Sequence, residues 1–352
     1  MILYYSLISI FILNAIAVPF KKILFFISVF WIAFITCFRG VNIGNDTISY
    51  IWLFRAISKS AVSDFLPRYE IGYVYLNKVI YWIFPDEQAL LIITGLITWI
   101  CVSVFIYNKS ENPSYSLFLI LTFGFASFFM SGIRETLAIV FCLIGFFFIQ
   151  KRQFIPFLAV VAFAMMFHST AAAFILAYPV YHLKLKRKQL FTIAGLTFVS
   201  LLLFDKIAKI FASLYPHYGY YLAGVYSMGG IRLASFLNFL LIFLFFCGCR
   251  FICEKYHLEN NKNCIGITNL LYIGACVLLV SFPFNLLDRI ALYYDVFIVI
   301  AIPNIILKYN QNSTQLIVKA LSITILFIAY FSCVQYFRPE WNHIYPYQFY
   351  IR

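Results

Sequence analysis

Charged side chains are scarce in this chain. They make up 11% of its 352 residues, and only 13 residues are acidic, whereas 64% are hydrophobic. Soluble domains carry roughly a quarter of their residues as charged ones, so this composition excludes a soluble globular protein and predicts an all-α polytopic membrane protein. The net charge is +13, but the basic residues are spread over loops, which argues against nucleic-acid binding.

The nine cysteines lack the spacing of a redox or metal-binding motif. Most of them lie inside apolar runs and no CxxC pair occurs, so we expect neither a disulfide framework nor a metal site. Internal repeats and low-complexity tracts are also lacking. The first apolar segment, residues 2–20, has no leading basic region and no small-residue cleavage site, and Lys21 and Lys22 follow it. We interpret it as a retained transmembrane helix rather than a signal peptide.

Twelve apolar runs are long enough to span a membrane, or nearly so. They predict a single integral membrane domain over residues 1–352. With Lys21 and Lys22 inside, alternation puts two long loops, at about residues 39–87 and 205–232, on the outer side together with both termini. Lysine then predominates inside and arginine outside. The runs are residues 2–20, 23–38, 89–107, 115–130, 136–149, 154–167, 170–183, 190–204, 233–249, 264–283, 290–307 and 316–336.

The middle of the chain predicts a helical hairpin. The apolar runs 136–149 and 154–167 flank a basic turn at Lys151 and Arg152, which is typical of a cytoplasmic loop. Arg134 and His168 therefore return to the same outer end. Fourteen helical residues span only about 21 Å, against a hydrocarbon core of about 30 Å. Ionisable residues at the ends of such short runs indicate a recessed polar site that opens outward.

Several ionisable side chains gather at the predicted outer face. Arginine suits bidentate phosphate binding, and a carboxylate or imidazole can take a proton from an attacking hydroxyl. These are the groups that glycosyl transfer from a lipid pyrophosphate donor needs. The candidates are Arg39, Asp46, Glu70, Arg134, Glu135, His168, Asp288 and Arg289.

Each candidate also has a purely structural interpretation. Asp46, or Thr47 beside it, is a suitable cap for the helix that follows, and His168 is compatible with a core histidine that donates to a carbonyl. Glu135 is placed to neutralise a nearby arginine. Asp288 and Arg289 are compatible with a local ion pair at a helix start.

Three motifs occur in a characteristic order. They are FRGVNIGNDTISY, which contains Arg39, Asp46 and Tyr50, then the element from Glu70 to Tyr73 (EIGY), then IRETLAI…FHST from Arg134 to His168 and beyond. Together they resemble the EpsG/Wzy-type polysaccharide polymerases of bacterial capsule, exopolysaccharide and O-antigen assembly. The resemblance covers most of the chain. One departure is Glu135, where the family more often carries Gln.

The resemblance implies a glycosyltransferase of GT-C-like architecture with about 12 transmembrane helices. It implies that undecaprenyl-pyrophosphate-linked repeat units are joined at the outer face of the bacterial inner membrane, with the active site facing the periplasm. No nucleotide sugar, metal or cofactor is implied, whereas a chain-length regulator and a flippase are implied partners. Carried onto this sequence, the catalytic residues are His168, Asp46 and Arg134, and the substrate-binding residues are Arg39, Tyr50, Glu70, Glu135 and Arg289.

Three other functions compete with a polymerase. A flippase for the same lipid-linked unit would be expected to show two similar halves, and we find no such repeat. A membrane O-acyltransferase needs a histidine that a cytosolic thioester can reach, whereas the predicted topology puts His168 outside. A purely structural protein would leave the outer arginines unexplained. Whether His168 or Asp46 is the base stays open.

Overall fold

The computed structural model describes residues 1–16, 21–214, 233–284, 287–309, 312–341 and 343–350, apart from the side chains of 21 and 210–214. Its described elements are helices joined by short turns, as the composition predicts for an all-α membrane protein. The chain divides into two compact units. Unit 1 is residues 1–172 with 310–352, and unit 2 is residues 173–309.

Unit 1 contains the three motifs and the predicted hairpin. Its helices are α1 Ile2–Ile16, α2 Lys21–Cys37, α3 Thr47–Lys59, α4 Ile71–Ile83, α5 Glu87–Lys109, α6 Pro113–Phe123, α7 Phe125–Ser131, α8 Ile133–Gln150, α9 Phe154–Met165 and, near the C-terminus, α17 Ser313–Phe337. Some packed pairs are consecutive in the chain, such as α1 with α2 and α8 with α9. Others are distant in sequence: α1 contacts α6, α5 contacts α2 and α8, and α17 contacts α6.

Two local signals explain where the helices of unit 1 begin and break. The side chain of Asp86 accepts a hydrogen bond from the backbone of Gln88, 2.8 Å away, and caps the start of α5. At Gly124 the backbone has a φ of 101°, a left-handed conformation that glycine adopts without steric cost. The chain therefore bends by 63° there, and one apolar run becomes the broken pair α6 and α7.

The first long loop predicted from the sequence, residues 39–87, is largely helical. It contains α3, a short 3₁₀ turn at Val62–Asp64, and α4, and α3 and α4 pack on each other and on α5. Lys78 on α4 donates to the backbone oxygens of Ser58 and Ser60 at the end of α3. The two helices therefore form a helical hairpin packed on α5 rather than an extended loop.

Unit 2 is organised around one helix that contacts its neighbours through small residues. A Cβ at Gly266 or Gly274 would collide with the ring of Tyr181 or the carboxylate of Asp295, respectively. Glycine at both positions lets these groups approach closely. The helices of unit 2 are α10 Ala177–His182, α11 Arg187–Leu202, α12 Phe204–Leu214, α13 Leu233–Lys255, the central α14 Lys262–Val280, α15 Asp288–Asp295 and α16 Ile298–Ala301, with a π-helical turn at Ile302–Leu307.

Among the described residues, six segments are long and apolar enough to cross a membrane, and the bent pair α6–α7 makes a seventh. The chain is therefore a multi-pass membrane protein. Three shorter apolar helices, α1, α2 and α9, add to this set. The six segments are Glu87–Lys109, Ile133–Gln150, Leu233–Lys255, Lys262–Val280, Asp288–Leu307 and Ser313–Phe337.

Two of the twelve predicted runs fall outside these segments and shorter helices. Run 170–183 is not one helix, because a 3₁₀ segment, Ser169–Leu176, precedes the six-residue α10. Run 190–204 overlaps α11 and ends at the first residue of α12. The 16 residues of α11 are fewer than the roughly 20 that a span requires. Of the second predicted loop, residues 205–232, the structure describes only the part up to Leu214, in α12. The rest of that loop, with Arg232, lies outside the described residues.

Candidate functional site

The site is built on the α8–α9 hairpin, as the sequence predicts. The helices turn at Lys151 and Arg152, where Arg152 adopts a φ of 59°, and then run back against each other. Phe141 of α8 lies between Phe163 and Phe167, with ring centroids 4.9 and 5.1 Å away. This aromatic contact fixes the free end of the hairpin, where α8 starts and α9 stops.

The start of α4 docks on the end of α9. A Cβ at Gly72 would lie 2.8 Å from both the Cβ and the carbonyl oxygen of Met166, so only glycine allows the two backbones to come this close. The N–H of Tyr73 donates to the Met166 carbonyl across 3.2 Å. The EIGY element is thus a docking motif, and it carries Glu70 to the end of the hairpin.

Glu70 joins the start of α8 to the segment that follows α9 through its two carboxylate oxygens. Oε2 accepts from Nη1 of Arg134 at 2.7 Å, and Oε1 accepts from the backbone N–H of Ser169 at 3.1 Å. Nδ1 of His168 lies 3.9 Å from Oε1. The structure therefore brings Arg134, Glu70 and His168 together, which confirms that Arg134 and His168 return to the same end.

Aromatic rings surround the Arg134 guanidinium. Its central carbon lies 5.0 Å from the ring centroid of Tyr69 and 6.0 Å from that of Tyr73, in cation–π range. The phenol oxygen of Tyr50 accepts a hydrogen bond from Arg134, and burial raises the pKa of this phenol while Arg134 opposes the shift. Arg134 keeps 22% of its side chain exposed, so a ligand can reach it.

His168 has a second polar neighbour. The hydroxyl of Thr170 lies 3.0 Å from Nδ1 of His168, and the imidazole is 18% exposed. The side chain is thus placed at the surface of the cluster, beside the Glu70 carboxylate.

Asp46 is presented by a loop that fits tightly against the end of α7. Gly44 adopts a φ of 89°, and a Cβ there would lie 2.6 Å from the carbonyl oxygen of Met130. The next residue, Asn45, donates its N–H to the hydroxyl of Ser131 at 2.8 Å. The GND sequence therefore holds Asp46 next to the segment that leads into α8 and Arg134.

Asp46 does not cap α3 with its side chain. The hydroxyl of Thr47 points elsewhere, donating to the carbonyl of Ile43 at 2.6 Å and lying 3.2 Å from that of Met130. The capping interpretation is therefore wrong for both residues. Asp46 is instead linked to Tyr50 through the backbone, because its carbonyl accepts from the Tyr50 N–H at 3.0 Å. Burial is the main cause of the raised pKa of the Tyr50 phenol, and the Asp46 carboxylate adds to it.

The Arg39 side chain is buried and bonded to backbone carbonyls. It is 1% exposed, and its guanidinium donates to the carbonyls of Thr36 at 2.5 Å and Met130 at 2.9 Å. Burial lowers its pKa to about 10, so it stays protonated at neutral pH. The two terminal guanidinium nitrogens of Arg39 donate to these backbone oxygens and so fix the end of α2 to the end of α7. Contact between Arg39 and substrate stays a prediction.

The C-terminal segment adds to this structural role. Residues 343–350 run along the FRG sequence, where Arg39 bridges to Phe349 and the N–H of Gly40 donates to the carbonyl of Gln348 at 2.7 Å. The N–H of Gly44 donates to the carbonyl of His343 at 2.9 Å. The aromatic ending therefore supports the loop that presents Asp46.

Glu135 and Arg289 are the remaining two predicted site residues. Glu135 is buried, 1% exposed, and Arg134 forms an ion pair with Glu70. Arg289 belongs to unit 2, near the start of α15, and is half-buried. Beside it, Asp288 accepts a hydrogen bond from the hydroxyl of Ser235 at 3.3 Å.

Sequence reasoning missed Tyr69, Tyr73 and Thr170 as site residues. The signal for the tyrosines was present in the Tyr-rich stretch that begins at Tyr69, but it equally fits a membrane-interface belt. Thr170 follows His168 in the FHST motif and gave no chemical signal of its own.

The model of the EpsG family matches residues 22–349. The chain belongs to the EpsG family. EpsG proteins are membrane proteins linked to exopolysaccharide biosynthesis, so this chain takes part in polysaccharide biosynthesis. The match covers all three motifs of the cluster. Comparison with curated proteins and with solved structures gave no match.

Proposed function

We propose that this EpsG-family chain is a polymerase of lipid-linked glycans. It joins undecaprenyl-pyrophosphate-linked repeat units into O-antigen or a related surface polysaccharide. The reaction takes place at the outer face of the bacterial inner membrane, and the cluster of unit 1 is the active site. The twelve-run topology, the GT-C-like architecture and association with a flippase and a chain-length regulator are parts of the same proposal.

The chemistry is a glycosyl transfer without a nucleotide sugar. The hydroxyl oxygen of the acceptor sugar attacks the anomeric carbon of the growing chain, and a new C–O bond forms. The bond between that carbon and the pyrophosphate oxygen breaks, and the electron pair leaves with the undecaprenyl pyrophosphate. The proton of the acceptor hydroxyl passes to a base of the protein.

The environment of the Arg134 guanidinium is the observation that carries this proposal. The guanidinium is partly exposed and flanked by tyrosines, and its Nε–H donates to no protein partner among the described residues. A planar fork with an unused donor suits an anion with several oxygens, such as pyrophosphate. Donors aimed at a developing charge lower the barrier to departure of the leaving group.

His168 and Asp46 are the two candidate bases. His168 lies on the same hairpin as Arg134 and near Glu70, so it is close to the bond that breaks. A neutral imidazole accepts a proton near physiological pH. Asp46 lies one helical turn before Tyr50, whose N–H donates to the Asp46 carbonyl, and there it can hold or deprotonate the acceptor sugar. We assign the base to His168 and acceptor contact to Asp46 and Tyr50.

The proposed function is tested by deleting the gene and analysing surface glycans. A polymerase predicts single-repeat products without a ladder, because units are still exported but not joined. Loss of all exported repeat units would contradict the polymerase and favour a flippase. Unchanged ladders with lost acyl groups would favour an O-acyltransferase.

A further inference from the structure

We propose that Glu70 is an internal counterion that occupies the anion position on Arg134 and is displaced when a phosphate-bearing substrate binds. The displaced carboxylate then stabilises the protonated form of His168. This inference rests on the proposed function, and it assigns Glu70 a positioning role rather than the substrate contact expected from the sequence.

The contact between Glu70 and Arg134 is a single-point ion pair. Only Oε2 reaches the guanidinium, at Nη1, because Oε1 is held by the N–H of Ser169. A carboxylate that meets an arginine through two parallel bonds is bound more strongly and more specifically. The Nε of Arg134 has no partner among the described residues. Glu70 therefore fills only part of the anion position.

Exchange of one anion for another keeps the arginine paired throughout. Arg134 is largely surrounded by protein and aromatic rings, and an unpaired charge in such a place is costly. A phosphate oxygen that takes the place of Oε2 keeps Nη1 satisfied, and a second oxygen can accept from Nε. The anion thus gains one more bond than Glu70 makes.

The bond to Ser169 keeps the carboxylate in place after displacement. Oε1 accepts from this backbone N–H, and this hydrogen bond does not depend on Arg134. The imidazole of His168, with Nδ1 3.9 Å from Oε1, is then the nearby group that a free carboxylate can stabilise in its protonated form. Binding of the pyrophosphate group would therefore make His168 a stronger base only when substrate is present.

The experiment measures binding of inorganic pyrophosphate to the purified full-length protein by isothermal titration calorimetry. Glu70→Gln retains a side-chain oxygen for the Ser169 N–H but removes the competing charge, so we expect binding about tenfold tighter than wild type. Asp64→Asn, at an exposed acid of the same α3–α4 connection, is the matched charge control and should leave affinity unchanged. Arg134→Ala should abolish binding.

Turnover supplies the second readout. With lipid-linked repeat units, Glu70→Gln should lower both KM and kcat, because the substrate anion binds more easily but His168 loses its carboxylate. A merely structural Glu70 would lower kcat without tightening pyrophosphate binding. If Glu70→Gln fails to fold, Glu70→Asp replaces it. Its shorter carboxylate cannot bridge Ser169 and Arg134, so tighter binding is again expected.

Two results would overturn the inference in different ways. Equal or weaker pyrophosphate binding by folded Glu70→Gln, together with lost binding in Arg134→Ala, removes the displacement and leaves the proposed function intact. Wild-type pyrophosphate binding by Arg134→Ala removes the anion site itself, and with it the basis of the proposed function.

Discussion

The backbones of Gly72 and Met166 touch, with the ideal Cβ position of Gly72 only 2.8 Å from the Met166 carbonyl oxygen. This contact joins the start of α4 to the end of α9, and the Tyr73 N–H bond to the same carbonyl strengthens it. Because Glu70 precedes Gly72 by two residues, the contact decides whether Glu70 reaches Ser169 and Arg134.

Gly72→Ala should therefore disrupt the site from outside it. The methyl group meets backbone atoms, which cannot move as a flexible side chain does, so α4 must shift and Glu70 with it. Overpacking of this kind typically costs about 1–3 kcal/mol. We expect loss of the glycan ladder and a lower thermal unfolding midpoint of the purified protein.

Gly195→Ala is the matched control for this variant. A Cβ at Gly195, in α11, meets nothing within 4 Å, and alanine is favoured over glycine in a helix by about 1 kcal/mol. It should retain the ladder and equal or exceed wild-type stability. Normal ladders in Gly72→Ala at matched protein level would show that the close contact does not control the site.

Arg134→Lys should be nearly as harmful as Arg134→Ala. Lysine retains the charge, and its amine can still pair with Glu70, but a point charge cannot form the planar fork that binds two phosphate oxygens. The measurement is the length distribution of surface glycans in a deletion strain complemented with each variant. Wild-type ladders in Arg134→Lys, at equal expression, would contradict the role of the fork.

Asp46→Asn should lower activity without lowering stability. The side chain makes no capping bond, so the loss of about 1 kcal/mol that follows removal of a true cap should be absent. Asp86→Ala is the comparison, because Asp86 does cap α5 and should lower the free energy of unfolding by about that amount. Chemical denaturation of both variants in the same detergent checks this. A cost in Asp46→Asn equal to that in Asp86→Ala would restore the capping interpretation.

Orientation is tested by the accessibility of engineered cysteines. Ala61→Cys, in the connection between α3 and α4, should react with an impermeant thiol reagent in intact spheroplasts, whereas Glu259→Cys, between α13 and α14, should not. Both positions are exposed in the structure. The parent protein needs Cys247 and Cys333 replaced, because both native thiols are exposed. Labelling of Glu259→Cys before permeabilisation would reverse the topology and put His168 on the wrong side.

Local sequence signals were sufficient for the helical hairpin. The apolar runs around Lys151 and Arg152 determine two helices and a turn, and their equal length brings Arg134 and His168 to one end. The same signals could not give the number of spans. Apolar composition does not distinguish an α-helix from the 3₁₀ segment Ser169–Leu176, nor does it reveal that Gly124 bends a run into two.

The partners of the charged residues could not be predicted from the sequence. Arg39 and Arg134 both lie within the sequence motifs, and both were expected to bind an anion. In the structure Arg39 donates to backbone carbonyls, whereas Arg134 pairs with Glu70. That pairing joins residues 64 positions apart, and the Asp46 loop is supported by the C-terminal segment. Such long-range contacts depend on how the helices pack, which periodicity does not specify.

Reconstitution of the reaction tests the central claim most directly. The purified full-length protein would be incubated with undecaprenyl-pyrophosphate-linked repeat units, in EDTA and without nucleotide sugars, and the products separated by length. We predict a ladder from wild type and a rate about 10²–10⁴-fold lower from folded His168→Ala, the usual loss of a general base. Near-normal turnover by His168→Ala with an inactive Asp46→Asn would transfer the base to Asp46. Absence of any polymer from folded wild-type protein would contradict the proposal that this chain is the polymerase.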